Sequence, residues 1–403
     1  MVFDLKACAR SNILALQPYR CARDDYKDDG NTTLLDANEN AHGPSLSKVD
    51  DLASKGSESQ LFRFDSLNRY PDPHQIELKQ LLCHLRQSPS SPNPLTPANL
   101  FVGVGSDEAI DALIRCFCVP GVDRILICPP TYGMYTVASQ INDVEVVKIP
   151  LDIEGDIPTF DIRPGVILEK LRNDSKIKLV YICSPGNPTG KLIPPSQIRQ
   201  LLEFQWNGVV VLDEAYIDFA GEGKSLAHWV NDHPNLVVMQ TLSKAFGMAG
   251  IRLGFAFAPT NIIRLLNNLK APYNISSITS ALAIQAVSKP GLEVMAVHRN
   301  LILEQRTRIV QELVRLQRIG KLRGGFDANF LLVEILNGPK DSGGVPDNIS
   351  ARRVYKELAE TKGIVVRYRG DELGCEGCLR ITVGTEDETT KLIKKLDEVF
   401  KEI

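Results

Sequence analysis

Short apolar runs alternate with segments of helical periodicity through the middle of the chain. Apolar residues from Ile110 to Phe117 recur at helical spacing, and Ser106 precedes them as a suitable N-cap. Strands that alternate with helices predict a mostly parallel sheet covered by helices on both faces. The runs that predict strands are FVGVG (101–105), RILICPP (124–130), VEVVKI (144–149), LVYICSP (179–185), VVVLDEAY (209–216) and LVVMQTLSK (236–244).

The pattern changes near residue 290. A long helical segment, roughly 291–318, leads to the apolar run FLLVEI, a loop rich in Gly, Pro, Asp and Ser, a further helix, and the runs IVVRYRG and CLRITVG. This order is typical of a smaller α+β unit. We therefore expect an irregular N-terminal arm, a large domain and a small C-terminal domain, at residues 1–45, 46–290 and 291–403.

Composition excludes several classes of protein. The 403 residues are 43% hydrophobic and 24% charged, which is globular usage and not that of a disordered or coiled-coil chain. The 46 basic and 49 acidic residues give a net charge of −3 and form no basic face, so we expect no nucleic-acid partner. No apolar run is long enough to span a membrane, and the first twenty residues lack the apolar core of a secretory signal. These features predict a cytoplasmic protein without a membrane partner.

The cysteines and histidines do not predict a metal site. Nine cysteines are spread along the chain without a disulfide-like rhythm, and the six histidines show no ligand spacing. Cys375 and Cys378 form one CxxC pair, which lacks the second pair of a zinc site. We interpret them as structural thiols.

Polar residues follow the predicted strands at the points where those strands end. In open α/β sheets, ligands bind at the carboxyl ends of the strands, so these residues predict one site. They are Ser106, Asp107, Tyr132, Asn187, Asp213, Tyr216, Ser243 and Lys244.

Two of these segments have a plain structural alternative. Gly103–Asp107 is a glycine turn that leads into a helix, where backbone N–H groups suit a phosphate, although an ordinary tight turn has the same sequence. In SPGNPTG (184–190), the prolines and glycines would hold the amide of Asn187 rigidly, and a simple turn is again the alternative.

Asp213 and Lys244 carry the chemical argument. Asp213 ends a very apolar strand, and a buried carboxylate needs a cationic partner, either a protonated heterocyclic nitrogen or an arginine. A lysine that emerges from an apolar strand can have a lowered pKa and act as a nucleophilic amine toward an aldehyde. Ser243 and Arg252 add a hydroxyl and a guanidinium that suit a phosphate.

A set of motifs, in order from about Leu35 to Thr385, now resembles a known family. The set resembles the fold type I pyridoxal-phosphate-dependent aminotransferases, and within them the histidinol-phosphate aminotransferase subfamily. One departure is Ala41, which follows Asn40 where the family usually has proline. The motifs are LLDANEN (34–40), RYPDP (69–73), GSDE (105–108), PPTYGMY (129–135), SPGNPTG (184–190), LDEAYIDF (212–219), TLSKAFGMAGIRLG (241–254) and CLRITVGT (378–385).

The resemblance implies a fold and a set of cofactor residues. The fold is a large domain with a mostly parallel seven-stranded sheet between helices, plus a smaller α+β C-terminal domain. Lys244 would bond covalently to the aldehyde of pyridoxal 5′-phosphate and shuttle the proton between the substrate Cα and the cofactor, and Asp213 would hold the pyridine nitrogen protonated. Tyr216 and Asn187 would hydrogen-bond the ring oxygen, and Tyr132 would stack on the ring. The phosphate would be bound by Ser106, Asp107, Ser243 and Arg252, and by Tyr70 from the other subunit of a homodimer.

The resemblance also implies a substrate. Arg380 and Arg367 would grip the phosphate of L-histidinol phosphate, with glutamate using the same pair, while Asn187 also lies beside the substrate and Tyr19 lines its imidazole side. The reaction would transfer the amino group to 2-oxoglutarate within histidine biosynthesis, giving imidazole acetol phosphate and L-glutamate.

Three other functions remain open at this point. A decarboxylase of phosphothreonine type uses the same lysine, aspartate and phosphate-gripping arginines, and an aromatic amino-acid aminotransferase shares the motifs. A cofactor-binding domain of a transcription regulator is disfavoured, because the chain has no helix-turn-helix extension and no basic face.

Overall fold

The computed structural model describes residues 10–15, 22, 25–26, 32–46, 67–88, 91–155 and 158–402. Within these ranges, no helix is long and apolar enough to cross a membrane. The strands, in chain order, are β1 (Thr33–Leu34), β2 (Leu100–Val104), β3 (Arg124–Ile127), β4 (Glu145–Lys148), β5 (Ile177–Cys183), β6 (Val209–Asp213), β7 (Leu236–Thr241), β8 (Leu253–Phe257), β9 (Ile319–Arg323), β10 (Phe330–Ile335), β11 (Ile364–Val365), β12 (Arg367–Tyr368) and β13 (Cys378–Thr382).

The helices lie between and around these strands. Short 3₁₀ turns occur at Pro97–Asn99, Ile217–Phe219, Ala227–Asn231, Ala249–Ile251 and Lys340–Ser342. The α-helices are Ser11–Leu14, Ile76–Arg86, Gly105–Phe117, Met134–Ile141, Pro164–Asn173, Pro195–Leu202, Thr260–Leu269, Ser277–Val287, Lys289–Leu313, Asn348–Glu360 and Glu386–Glu402.

The central element is a seven-stranded sheet with the order β2-β8-β7-β6-β5-β3-β4. All neighbouring pairs are parallel except those of β8, which runs antiparallel to both β2 and β7. The predicted mostly parallel, seven-stranded sheet is therefore confirmed. The six strands expected from apolar runs are all present, whereas the seventh, β8, was not among them.

β8 follows β7 after residues 242–252, within which the chain reverses direction, and the apolar runs predicted β7 but not β8. Glycine is required in this strand, because a Cβ on Gly254 would lie 2.2 Å from the backbone nitrogen of Ser106. The prediction of Ser106 as an N-cap is wrong. The helix begins at Gly105, and Ser106 lies in its first turn.

Alternation along the buried strands explains the three-layer architecture. In β6, Val210 and Leu212 pack into the apolar cluster on one face of the sheet, and Val209 and Val211 pack into the cluster on the other face. All four side chains are at most 5% exposed. A parallel sheet with both faces covered needs this continuous apolar sequence.

A second, four-stranded antiparallel sheet has the order β12-β13-β10-β9. Helices Asn348–Glu360 and Glu386–Glu402 pack with one another and with the adjoining apolar cluster. The N-terminal strand β1 pairs in parallel with β11, so the chain segment around residue 34 is attached to this part of the molecule. This pairing brings the LLDANEN motif to the space between the two sheets.

Candidate active site

A cavity of about 310 Å³ lies at the carboxyl ends of the parallel strands and is bounded on its other side by the antiparallel sheet. Parallel strands present their carboxyl ends at one edge, which is where a ligand site is expected. The predicted site residues that line this cavity are Ser106, Asp107, Tyr132, Asn187, Asp213, Tyr216, Ser243, Lys244, Arg252, Arg367 and Arg380.

Two predicted residues do not line it. Tyr70 is 81% exposed and stacks on Tyr273 with ring centroids 4.5 Å apart. Tyr19 lies outside the described residues. The structure of one chain therefore gathers the residues of the strand ends and of the antiparallel sheet, but not Tyr70.

Asp213 provides a buried carboxylate at the end of β6. The side chain is 2% exposed, and its Oδ2 accepts a hydrogen bond of 2.6 Å from the hydroxyl of Tyr135 while Oδ1 accepts one of 3.1 Å from the backbone of Ala215. Burial raises the pKa of Asp213 to about 6. Within the described ranges, no lysine or arginine forms an ion pair with Asp213, so the arginine alternative is not realised and the carboxylate would be complemented by a cation from a ligand.

Lys244 lies just beyond the end of β7 and lines the cavity. Its Nζ donates a hydrogen bond of 2.9 Å to the carbonyl of Ala37 and lies 5.8 Å from the ring centroid of Tyr216. Burial lowers the pKa of Lys244 to about 8, and the positive charges of Arg380 and Arg252 add to this effect. A substantial fraction of the amine is therefore neutral near physiological pH, as a nucleophile requires.

The start of helix Gly105–Phe117 and two hydroxyl residues form a cradle for an anion. Arg252 lies across this helix start, with Nη2 3.7 Å from Oδ2 of Asp107. Gly105 has a φ of +72°, and a Cβ there would lie 2.8 Å from Nη2 of Arg252 and fill the cradle. The hydroxyls of Thr241 and Ser243 are hydrogen-bonded to each other at 2.9 Å. Helix N–H groups, hydroxyls and a guanidinium together suit a phosphate.

Arg380 occupies the opposite side of the cavity, on β13. Its Nη1 donates a hydrogen bond of 2.7 Å to Oδ1 of Asn187, and Nη2 donates to the backbone carbonyl of Asp36. Its Nε is buried without a hydrogen-bond partner in the described structure. Burial lowers the pKa of Arg380 to about 9, and the nearby charge of Arg369 contributes. The group is thus a buried cation that an anionic ligand would stabilise.

Arg367 lies directly opposite Arg380 in the antiparallel register of β12 and β13. Directly paired residues of neighbouring strands project to the same face of a sheet. Both arginines line the cavity, so the antiparallel sheet contributes two guanidinium groups to one side of it.

Several residues of the site were missed. Asn38 donates a hydrogen bond of 3.0 Å to the Tyr216 hydroxyl, and its backbone N–H donates to Thr382, so the LLDANEN motif fixes the tyrosine. Tyr135 and Thr241 were quoted within motifs but given no role. Arg369 also lines the cavity; it lies two positions after Arg367, the spacing that puts two strand residues on one face.

These groups fit pyridoxal phosphate. Among the described residues, Asp213 has no ion-pair partner, and the protonated pyridine nitrogen would be one. The Lys244 amine matches the aldehyde, and the Gly105–Asp107 cradle matches the phosphate. Burial of Tyr216 raises its pKa to about 12, so its hydroxyl stays protonated and can donate to the ring oxygen. No cluster of metal-ligating side chains occurs among the described residues.

Comparison with known proteins identifies the family. The family model for aminotransferase class I and II matches residues 31–396. The chain is 50% identical to the histidinol-phosphate aminotransferase of Schizosaccharomyces pombe, covering 100% of this chain and 99% of that one. It is also 50% identical to the enzyme of that name from Candida maltosa, with both chains covered completely. The crystal structure of the Sinorhizobium meliloti histidinol-phosphate aminotransferase in complex with pyridoxal-5′-phosphate matches with a TM-score of 0.79, 22% identity and 98% coverage of each chain.

Proposed function

The chain belongs to the class I and II aminotransferases, a pyridoxal-phosphate-dependent family, and on this premise we propose the reaction that it catalyses. The amino group of L-histidinol phosphate is transferred to 2-oxoglutarate, giving imidazole acetol phosphate and L-glutamate in histidine biosynthesis. The observation that carries this proposal is the 50% identity to enzymes of that name along the whole chain. The paired guanidinium groups of Arg367 and Arg380 in the cavity agree with a phosphorylated substrate.

Lys244 is proposed as the residue that binds the cofactor covalently and moves the proton. When bound, pyridoxal phosphate supplies an aldehyde for the amino group and a ring that accepts electrons from the reacting carbon. The lowered pKa of Lys244, caused mainly by burial, leaves Nζ able to attack a carbonyl and afterwards to take the proton from the substrate Cα.

Asp213 holds the proton on the ring nitrogen of the cofactor in this proposal. Its carboxylate is oriented by the Tyr135 hydroxyl and shielded from water, so its attraction for a cationic nitrogen is strong. Tyr216 and Asn187 would donate hydrogen bonds to the ring oxygen, and Tyr132, whose hydroxyl bonds to Asp107 at 3.2 Å, would cover the ring face.

The anion cradle of Ser106, Asp107, Ser243 and Arg252 is proposed to bind the cofactor phosphate. The ion pair of Arg252 with Asp107 orients the guanidinium toward the helix start. Backbone N–H groups there carry partial positive charge, which favours a phosphate dianion.

Arg380 and Arg367 are proposed to bind the substrate phosphate. Arg380 donates hydrogen bonds to Asn187 and to the carbonyl of Asp36, so its guanidinium group is oriented before the substrate binds. Two guanidinium groups can share the oxygens of a phosphate dianion, or of the glutamate side-chain carboxylate in the second half of the reaction.

We further propose a homodimer in which Tyr70 reaches the cofactor phosphate of the other subunit. Support comes from the 81% exposure of this tyrosine and its position outside the cavity of its own chain. Mixing a Lys244→Ala subunit with a Tyr70→Phe subunit tests this. In a dimer with shared sites, the hybrid has one site that carries both lesions and one intact site, and so regains activity. No gain over the parent variants would exclude the exchange of Tyr70.

Three remaining assignments stay predictions. Tyr19 on the imidazole side falls outside the described residues, and the division at residues 45 and 290 awaits a test by limited proteolysis. A cytoplasmic location agrees with the cysteines of the described ranges, all of which are free thiols, as a reducing compartment favours.

The direct test adds L-histidinol phosphate to the purified holoenzyme without a keto acid and records the visible spectrum. We expect loss of the cofactor's yellow absorption, with pyridoxamine phosphate and imidazole acetol phosphate formed in equal amounts. A yellow protein whose spectrum does not change when L-histidinol phosphate is added would contradict the assignment. Phosphothreonine is then added, and carbon dioxide release would establish the decarboxylase instead.

A further inference from the structure

The antiparallel sheet carries a third arginine on the face that lines the cavity. Arg367 pairs directly with Arg380 in the register of β12 and β13, and the backbone N–H of Arg369 donates to the carbonyl of Cys378 at 2.9 Å. The ladder thus continues past β12, and residues two apart on an extended strand share a face. Arg369 lines the cavity together with Arg367 and Arg380.

The side chain of Arg369 is held by Glu372 and has one N–H group without a hydrogen-bond partner among the described residues. Its Nη1 donates a hydrogen bond of 2.6 Å to Oε1 of Glu372, and the side chain is 22% exposed. Its Nε is buried and has no hydrogen-bond partner among the described residues. A buried N–H of a charged group without an acceptor is costly, and a ligand oxygen would remove that cost.

The loop after Arg369 is fixed by its own hydrogen bonds and by burial. The N–H of Glu372 donates to the carbonyl of Arg369, and the N–H of Cys375 donates to the carbonyl of Glu372, each at 3.0 Å. Cys375 is fully buried, and a Cβ on Gly374 would lie 2.9 Å from the side chain of Ile153. Glu372 therefore sits on a rigid turn, which positions Arg369 before any ligand binds.

Three guanidinium groups, those of Arg367, Arg369 and Arg380, line this side of the cavity. After burial, the positive charge of Arg369 lowers the pKa of Arg380 more than that of Arg367 does. Glu372 forms a partly exposed ion pair with Arg369. Because hydrogen bonds between guanidinium groups and phosphate oxygens are strong and can be bidentate, a cluster of three guanidinium groups suits a phosphate dianion better than a single carboxylate.

We propose that Arg369 is the third guanidinium of the substrate's anion subsite, positioned by Glu372, and that it determines specificity for a phosphate dianion over a carboxylate. The inference rests on the proposed function, since it assigns a further residue to the substrate side of the same site. Two guanidinium groups suffice for the two oxygens of a carboxylate, whereas a phosphate presents three oxygens and a second charge.

The test compares two half-reactions in the holoenzyme. For Arg369→Gln, kcat/KM for L-histidinol phosphate falls about tenfold or more, the usual effect of losing a hydrogen bond to a charged group, while that for L-glutamate changes less than about threefold. Arg369→Lys keeps the charge and recovers part of the loss. Glu372→Gln lowers the histidinol-phosphate value by a smaller factor, because it frees the guanidinium without removing it.

The matched control is Arg352→Gln. Arg352 lies over the ring of Tyr368, 4.3 Å from its centroid, and bonds to Asp371, but it does not line the cavity, so this change removes a nearby guanidinium group without removing one from the cavity. In this variant, kcat/KM of both half-reactions should equal the wild-type values. A second readout is inorganic phosphate as a competitive inhibitor of the glutamate half-reaction, whose inhibition constant rises about tenfold in Arg369→Gln.

Three outcomes would overturn the inference or its premise separately. If Arg369→Gln lowers kcat/KM equally for L-histidinol phosphate and L-glutamate, Arg369 has only a structural role. If both kcat/KM values and the inhibition constant of phosphate are unchanged, Arg369 does not belong to the subsite. If the wild type reacts with glutamate but not with histidinol phosphate, the proposed function fails, and phosphate inhibition still decides whether Arg369 binds an anion.

Discussion

Each side of the cavity has one deeply buried charged group, and the two groups have opposite signs. On the side of the seven-stranded sheet, Asp213 is a buried carboxylate whose pKa is raised by burial to about 6. On the side of the antiparallel sheet, Arg380 is a buried guanidinium whose pKa is lowered to about 9, mainly by burial. Each group is displaced toward its neutral form, so each would gain from a ligand group of opposite charge.

Because these two groups have opposite charges, they favour oppositely charged ligand groups at the two sides of the cavity. In the proposed function, a cationic ring nitrogen would be attracted to Asp213, and an anionic substrate group to the arginines. Lys244 lies between them, and its pKa is lowered by burial and then by Arg380. The pKa of the amine therefore depends on the arginine side of the cavity as well as on burial.

The largest effect is expected where the two sides meet. Lys244→Ala should lower kcat by about 10⁴-fold or more, because it removes both the nucleophile and the group that moves the proton. The visible spectrum of the covalently held cofactor should vanish while circular dichroism stays that of the wild type. A variant that keeps this spectrum would show that another amine holds the cofactor.

The next largest effect is expected on the carboxylate side. Asp213→Asn should lower kcat by about 10²–10³-fold, since the amide cannot stabilise a protonated ring nitrogen in this water-excluded site. Tyr135→Phe keeps the charge and removes its 2.6 Å hydrogen bond, so a loss of about tenfold is expected. Single-turnover rates measure both; equal rates for the asparagine variant and the wild type would remove Asp213 from the mechanism.

A smaller, substrate-dependent effect is expected on the arginine side. Arg380→Ala and Arg367→Ala should each lower the affinity for L-histidinol phosphate by about 10–100-fold, while the affinity for the cofactor stays within about threefold of the wild-type value. Substrate titration and cofactor titration of the same preparations separate the two. Unchanged histidinol-phosphate kinetics in both variants would contradict the assignment of this side to the substrate.

The smallest effect concerns the stability of the cofactor-free protein. The pKa of Asp213 is raised by burial from its ordinary value near 4 to about 6, so the folded chain keeps a proton that the unfolded chain releases between these values. This group therefore costs stability as the pH rises from about 4 to about 6. Relative to the wild type, Asp213→Asn should gain up to about 3 kcal/mol across this interval and nothing further above it.

Urea unfolding of both cofactor-free proteins between pH 4 and pH 7 measures this difference. Adding the cofactor should cancel it, because its cationic nitrogen stabilises the ionised carboxylate of the wild type. A constant difference between the two proteins at every pH would mean that Asp213 does not titrate in this range.

Much of the fold could be predicted from local sequence pattern. Five of the six apolar runs became strands that are mostly buried, and the sixth, VEVVKI, became the partly exposed edge strand β4. The mostly parallel sheet followed from the alternation of these runs with helices. β8 could not be found in this way, since it reverses direction within the motif that contains Lys244 and its length is set by pairing with β2 and β7. The assignment of the family, its enzyme class and its cofactor from ordered motifs is confirmed.

The sequence by itself determined which residues end each strand, and hence the set with Asp213 and Lys244, because a strand end and its polar residue are neighbours in the chain. The tertiary structure decided which distant residues contact these side chains. Asn38 reaches Tyr216 across 178 positions, and the register of β12 and β13 places Arg367 opposite Arg380. Such contacts arise from strand pairing and from burial of separate segments against each other, neither of which a local pattern contains.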